Sequence, residues 1–233
     1  MRFRGVCVRR AVLFDLDDTL YRELDFVESA FREVAGALGQ CAGVPGPQAH
    51  AAPADAFVRF GRDRTINRAV EALGLAPSLV PELVRVYRSH APAGLQLHSD
   101  ATRVLDRLAT QGVRLGLVTD GDPAVQRSKA RALGLARWLA VMRFTWDEGA
   151  ERQKPHARAF LPALEALGLA GDEVVYVGDN PAKDFVGARA LGMYTVRVLR
   201  GPHALDVPAS GYDADLTLDT LDAFMCSGGS CCA

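Results

Sequence analysis

Three short apolar runs, each ending in an acid or hydroxyl, constrain this chain more than any other feature. They are AVLFD at 11–15, VRLGLVTD at 113–120 and EVVYVGD at 173–179. Short apolar runs of this kind read as buried strands. Helical spacing fills the gaps between them. Ser99 or Asp100 can cap a helix carrying Val104, Leu105 and Leu108, with Gly112 at its end. Asp122-Pro123 is a cap and first-turn pair for a helix that Gly134 ends, and Pro155 is the expected first residue of a helix over 155–167. A helix near 184–191, strands at 140–144 and 195–199, and a short strand and helix within 216–224 complete the pattern. Strands alternating with helices in this way require a parallel sheet with helices on both faces, an α/β doubly wound core.

One stretch breaks the alternation. Val27, Phe31, Val34 and Leu38 recur at helical spacing before Gly39; Ile66, Ala69, Val70 and Leu73 do so before Gly74; Leu79, Leu83, Val86 and Tyr87 mark a third helix. Residues 41–53, rich in Gly, Pro and Ala, read as a loop. No strand pattern interrupts the stretch. We therefore expect an all-helical domain at 22–91, inserted after the first strand as a cap over the sheet edge, with the core formed by 1–21 and 92–225. Motion of the cap against the core is expected at linkers near 20–24 and 91–98. The last residues, 226–233, read as a flexible Gly/Ser-rich tail holding three of the five cysteines.

Ligands of open α/β sheets bind at the carboxyl ends of the strands. There the sequence places Asp15, Asp17, Asp18 and Thr19 after the first strand, Thr119 and Asp120 after the second, and Asp179, Asn180 and Asp184 after the third; Lys154 precedes a helix start. Two unit charges 4 Å apart repel by roughly 4 kcal/mol at an effective dielectric near 20, so a cluster of carboxylates requires a cation. An all-oxygen donor set with few protein ligands suits Mg²⁺, which retains waters and takes further ligands from a phosphate. Only three of the 27 basic residues are lysine, namely Lys129, Lys154 and Lys183. Against an arginine background, a lysine inside a motif draws attention.

At this point the sequence resembles the haloacid dehalogenase-like hydrolases. FDLDDTLY looks like their first motif, VTD like the second, Lys154-Pro155 like the third and GDNPAKD at 178–184 like the fourth, with the helical insertion where one large subgroup carries its cap. The resemblance spans roughly residues 11–224. It implies a Rossmann-like core and a phosphatase that hydrolyses a phosphomonoester of a small metabolite. In that reading Asp15 attacks phosphorus and forms an aspartyl-phosphate, while Asp17 protonates the leaving oxygen and then activates water. Thr119 and Lys154 bind the phosphoryl group. Mg²⁺ is held by Asp15, Asp179, the backbone carbonyl of Asp17, and Asp184 directly or through water.

Other readings stand beside these. Asp18 and Thr19 read as turn caps, and Lys183 as a solvated neighbour. Asp120 is open between phosphate binding and a solvated loop acid. The arginines at 59, 62, 64 and 68 read as a solvated helix face, against the alternative of an anion clamp. A phosphomutase would keep the same motifs; a non-catalytic binding protein would be free to lose an acid, and none is lost. Asp17 argues against dehalogenases and phosphonatases, which lack an acid two residues after the nucleophile. The net charge of -1 gives no basic field for nucleic acid, and no apolar run nears the ~18 residues that span a bilayer. Five cysteines without a signal-peptide core argue against a disulfide framework, and the five histidines show no metal-ligand spacing. The expected setting is cytoplasmic. The oligomeric state is not legible.

Overall fold

Six strands pair into one sheet: β1 (Ala11–Phe14), β2 (Arg114–Thr119), β3 (Leu139–Phe144), β4 (Val174–Gly178), β5 (Tyr194–Val198) and β6 (Leu216–Leu218). In this computed structural model residues 2–3, 6–7, 10–61 and 64–225 are described, so the expected cysteine tail and Arg62 lie outside the described residues. All five neighbour pairs are parallel, and the spatial order is β3-β2-β1-β4-β5-β6. The winding reverses between β1 and β4, which opens a crevice at the carboxyl ends of these two strands.

Every residue of β1 and of β4 is buried, which explains their unbroken apolar runs. Leu13, Val118, Val141, Phe160, Leu164 and Tyr176 belong to one core cluster, in which the Phe160 and Tyr176 rings meet edge-to-face at 4.8 Å. Each such side chain contributes about 1.5–3 kcal/mol by leaving water. Beneath the future site, then, lies a packed floor rather than a solvent channel.

The chain divides into two compact units, one formed by Met1–Glu23 with Gln96–Ala233 and the other by Leu24–Leu95. The second is helical: α1 (Glu23–Ala42), α2 (Gly46–Phe60), α3 (Thr65–Ala72) and α4 (Val80–Ser89). Phe26 and Phe31 of α1 both pack on Tyr87 of α4, at 5.9 and 6.0 Å. The expected loop at 41–53 is mostly helix. Pro47 occupies the first turn of α2, where its missing N–H costs nothing, and the alanine-rich sequence carries the helix past the buried Pro53.

The core helices are α5 (Ser99–Thr110), α6 (Pro123–Ala132), α7 (Leu161–Leu167), α8 (Val186–Ala190) and α9 (Asp222–Met225). Asp122 caps α6 as expected, accepting from the N–H groups of Ala124 and Val125. Two expectations fail locally. The helix expected over 155–167 is a 3-10 turn at Ala157–Ala159 followed by α7, because Pro162 belongs to a first turn and would break a helix running through it. Neither Ser99 nor Asp100 caps α5; His98 holds that position. Asp100 is buried instead, and accepts from Arg200, Thr220 Oγ1 at 2.6 Å and the Leu221 N–H at 2.9 Å.

Candidate active site

Asp15 is the first residue past β1, and its N–H donates to the Val177 carbonyl at 2.8 Å, extending the ladder by one step. This pairing sets Asp15 beside the end of β4, where Asp179 follows Gly178. A side chain at 178 is impossible without rearrangement: a Cβ there would lie 2.4 Å from Asp184 Oδ2. Glycine therefore lets the Asp184 carboxylate reach the strand end, where Oδ2 also accepts the Asn180 N–H at 2.9 Å. Oxygen atoms of Asp15, Asp179 and Asp184 all lie within 4.8 Å of one another, and all three residues are buried.

Lys154 sits inside this group. Its Nζ donates to Asp15 Oδ1 at 2.6 Å, to Asp184 Oδ1 at 2.7 Å and to the Tyr176 hydroxyl at 3.2 Å. Three carboxylates against one ammonium leave an excess of two negative charges in a dry place. The electrostatics follow. Burial, then Asp184 and Asp17 working against the relief from Lys154, push the Asp15 carboxyl from 3.8 up to about 7. Burial, with Asp184 and Asp15, pushes Asp179 up to about 9. Burial alone would depress Lys154, but Asp15 and Asp184 outweigh it and hold the ammonium well above its ordinary range. Among the described residues, the Asp179 side chain accepts one long hydrogen bond, from Thr19 Oγ1 at 3.4 Å. An all-oxygen set with two surplus charges and unfilled acceptor sites fits a hard divalent cation.

Asp17 stands apart from this cluster. Lys129 Nζ donates to both of its oxygens, at 2.8 and 3.0 Å, Gln126 Nε2 donates to Oδ2 at 2.8 Å and the Tyr21 hydroxyl to Oδ1 at 2.6 Å. Burial alone would raise the Asp17 carboxyl; the Lys129 charge and these hydrogen bonds outweigh it and hold the group below its ordinary range. Gln126 Nε2 also donates to Thr119 Oγ1 at 2.8 Å.

The neighbouring candidates have mostly supporting positions. Asp120 Oδ1 accepts from the Lys154 N–H at 3.1 Å and from Thr145 Oγ1 at 2.5 Å, so it fixes the backbone that carries Lys154. Asp18, at φ 51°, accepts from the Glu23 N–H at 3.0 Å and caps the start of α1. It packs on Gly201, where a Cβ would lie 2.4 Å from its Cγ. Lys183 is exposed, as are Arg59 and Arg64; Arg68 lies 4.0 Å over the Phe60 ring. Sequence reading did not find Gln126, Lys129, Tyr176, Thr145 or Arg200. Only Lys129 carried a signal, as one of the three lysines.

A family model described as haloacid dehalogenase-like hydrolase matches residues 9–192. The chain is 32% identical to a phosphoserine phosphatase of Thermus thermophilus, over 86% of this chain and 93% of that protein. It is 32% identical to a glyceraldehyde 3-phosphate phosphatase of Methanocaldococcus jannaschii, over 91% of this chain and 93% of that protein. Among solved structures, a HAD phosphatase from Thermococcus onnurineus matches with a TM-score of 0.61 and 28% identity, covering 91% of this chain and 94% of that one.

Proposed function

Because this chain belongs to the haloacid dehalogenase-like hydrolase family, we propose that it is a Mg²⁺-dependent phosphatase that hydrolyses a phosphomonoester of a small metabolite through a phosphorylated Asp15. The observation that carries this reading is the buried triad of Asp15, Asp179 and Asp184 around one lysine, with a second acid, Asp17, held two residues from the nucleophile.

In the first half-reaction an Asp15 oxygen bonds to phosphorus, the bond from phosphorus to the alkoxy oxygen breaks, and Asp17, which takes up a proton from solvent as the anionic ester binds beside it, gives that proton to the alkoxy oxygen. In the second, a water oxygen bonds to phosphorus, its proton passes to Asp17, and the bond between phosphorus and Asp15 breaks, releasing phosphate. General acid–base assistance of this kind is worth about 10²–10⁴ in rate. Lys154 and the Thr119 hydroxyl face the phosphoryl oxygens, where fixed donors lower the barrier without reorganising. Asp15, Asp179, the Asp17 carbonyl and, directly or through water, Asp184 would hold Mg²⁺, which when bound would supply the positive charge that lets a phosphate dianion approach Asp15. The catalytic core in this reading is 1–21 with 92–225, and the helical insertion selects the substrate. Among the described residues no helix is long and apolar enough to cross a membrane.

The test is phosphate release from a panel of phosphorylated metabolites, with Mg²⁺ or with chelator. Release that requires Mg²⁺ and is lost in Asp15→Asn is expected. Interconversion of phosphate esters without free phosphate would replace this reading with a mutase, and no reaction at all would leave a binding role.

A further inference from the structure

The two residues on α6 that sequence reading missed, Gln126 and Lys129, sit one turn apart and so share a helix face. Both are buried, at 2% and 3% exposure. A lysine is almost never buried unless paired, and Lys129 pairs with Asp17, at both oxygens, and with Glu23 Oε1 at 3.6 Å. We propose that Gln126 and Lys129 are positioning residues, which fix the Asp17 carboxylate and the Thr119 hydroxyl relative to each other. The inference rests on the phosphatase reading and deepens it.

The geometry is over-determined. Tyr21, Gln126 and Lys129 together give four hydrogen bonds to Asp17, between 2.6 and 3.0 Å, which leaves its carboxylate no freedom to rotate. The Gln126 amide is the joint. Its nitrogen has two hydrogens and two acceptors within 2.8 Å, Asp17 Oδ2 and Thr119 Oγ1. The carboxylate accepts only, so the nitrogen end of the amide must face it. Thr119 Oγ1 thereby receives a hydrogen, and its own hydrogen has only a 3.5 Å contact with the Asp120 carbonyl, which leaves it available to a phosphoryl oxygen. One amide thus sets both the direction of the acid–base group and the polarity of the phosphate-binding hydroxyl. Lys129 supplies the second anchor on Asp17 and makes none to Thr119.

A residue that merely supports the fold would slow both half-reactions together. A residue that positions Asp17 slows only the steps that move a proton. p-Nitrophenyl phosphate separates the two, because p-nitrophenolate leaves phosphorus without needing a proton, whereas hydrolysis of phosphorylated Asp15 still requires Asp17 to take one from water. The experiment is rapid-mixing kinetics of the full chain with Mg²⁺ and p-nitrophenyl phosphate. For Lys129→Met, the initial nitrophenolate burst should stay within about threefold of the unaltered enzyme while the steady-state rate falls about 10²-fold. Lys129→Arg should recover part of the steady-state rate. For Gln126→Leu, inorganic phosphate should also inhibit about tenfold more weakly, since Thr119 loses its orientation; this variant serves alone if Lys129→Met does not fold. Equal loss of burst and steady state in these variants, or no loss in either, overturns the inference and leaves the phosphatase reading intact. Absence of any nitrophenolate from the unaltered enzyme overturns both.

Discussion

Lys154 Nζ lies 2.6 Å from Asp15 Oδ1, with the two side chains only 4% and 9% exposed. The same ammonium lies 2.7 Å from Asp184, so one positive charge is divided between two anions. The two anions hold the Lys154 proton firmly, while burial first, and then Asp184 and Asp17, outweigh the relief from Lys154 and push the Asp15 carboxyl up to about 7. The nucleophile is incompletely ionised at neutral pH until more positive charge arrives.

Replacing that lysine tests the arrangement directly. Lys154→Met should lower kcat by about 10²–10³ and destabilise the fold by about 3 kcal/mol, the usual result of removing one partner from a buried ion pair. Phosphate release and urea unfolding midpoints measure the two effects. A variant with normal turnover would remove Lys154 from the chemistry.

Stability should depend on pH in the direction opposite to that of most acid-rich sites. The Asp15 and Asp179 carboxyls hold protons up to about 7 and about 9 in the folded chain, against 3.8 ordinarily. Between these limits the folded state binds more protons than the unfolded state, so stability falls as pH rises. In chelator the melting temperature is therefore expected to fall from pH 5.5 to pH 8.5. Added Mg²⁺ should stabilise more at the higher pH, because there it competes with fewer protons. A Mg²⁺ increment independent of pH would contradict the assignment of these carboxylates to a cation.

Asp179→Asn separates stability from function. Replacing a carboxyl that the folded chain must keep protonated up to about 9 should raise the melting temperature in chelator at pH 8.5, because the unfolded chain no longer gains by releasing that proton, while calorimetric titration should show Mg²⁺ affinity reduced about tenfold or more. Loss of affinity together with loss of metal-free stability would mean that Asp179 is chiefly structural.

Asp100 lies outside the catalytic set but is tied to it through Arg200. It binds Arg200, whose other contact donates to the Thr19 carbonyl at 2.7 Å, in the turn that carries Asp17 and Asp18. Asp100→Ala should cost about 3 kcal/mol through the unpaired Arg200 and the orphaned N–H of Leu221. Thermal melts measure it; a change below about 0.5 kcal/mol, the range of ordinary surface substitutions, would show that the ion pair contributes nothing.

What the sequence disclosed depends on chain distance. Asp15, Thr119 and Asp179 were legible because each closes an apolar run, and a parallel sheet delivers all such ends to one edge. Lys154 stands out as one of three lysines and by its place before an expected helix start, but its place in a motif comes from the family resemblance. Gln126 and Lys129 reach Asp17 from a helix face, and Tyr176 reaches Lys154 from within a strand, across 109, 112 and 22 residues of chain, and no local pattern encodes such a meeting. The misreadings have the same origin. Residues 41–53 read as a loop because the local sequence does not mark the first-turn position that admits Pro47, and Asp100 reads as a cap because its partners, Arg200 and Thr220, lie about a hundred residues away.

Tyr176 has a further consequence. Its hydroxyl rises from the middle of β4 to meet Lys154, Asp184 and the Val118 carbonyl. The electric field at Asp15 is thus set when the strands pair, before any substrate arrives, and catalytic competence inherits the rigidity of the sheet. Substitutions that loosen β4 against β1 should appear first as slower turnover, at temperatures where the chain is still fully folded.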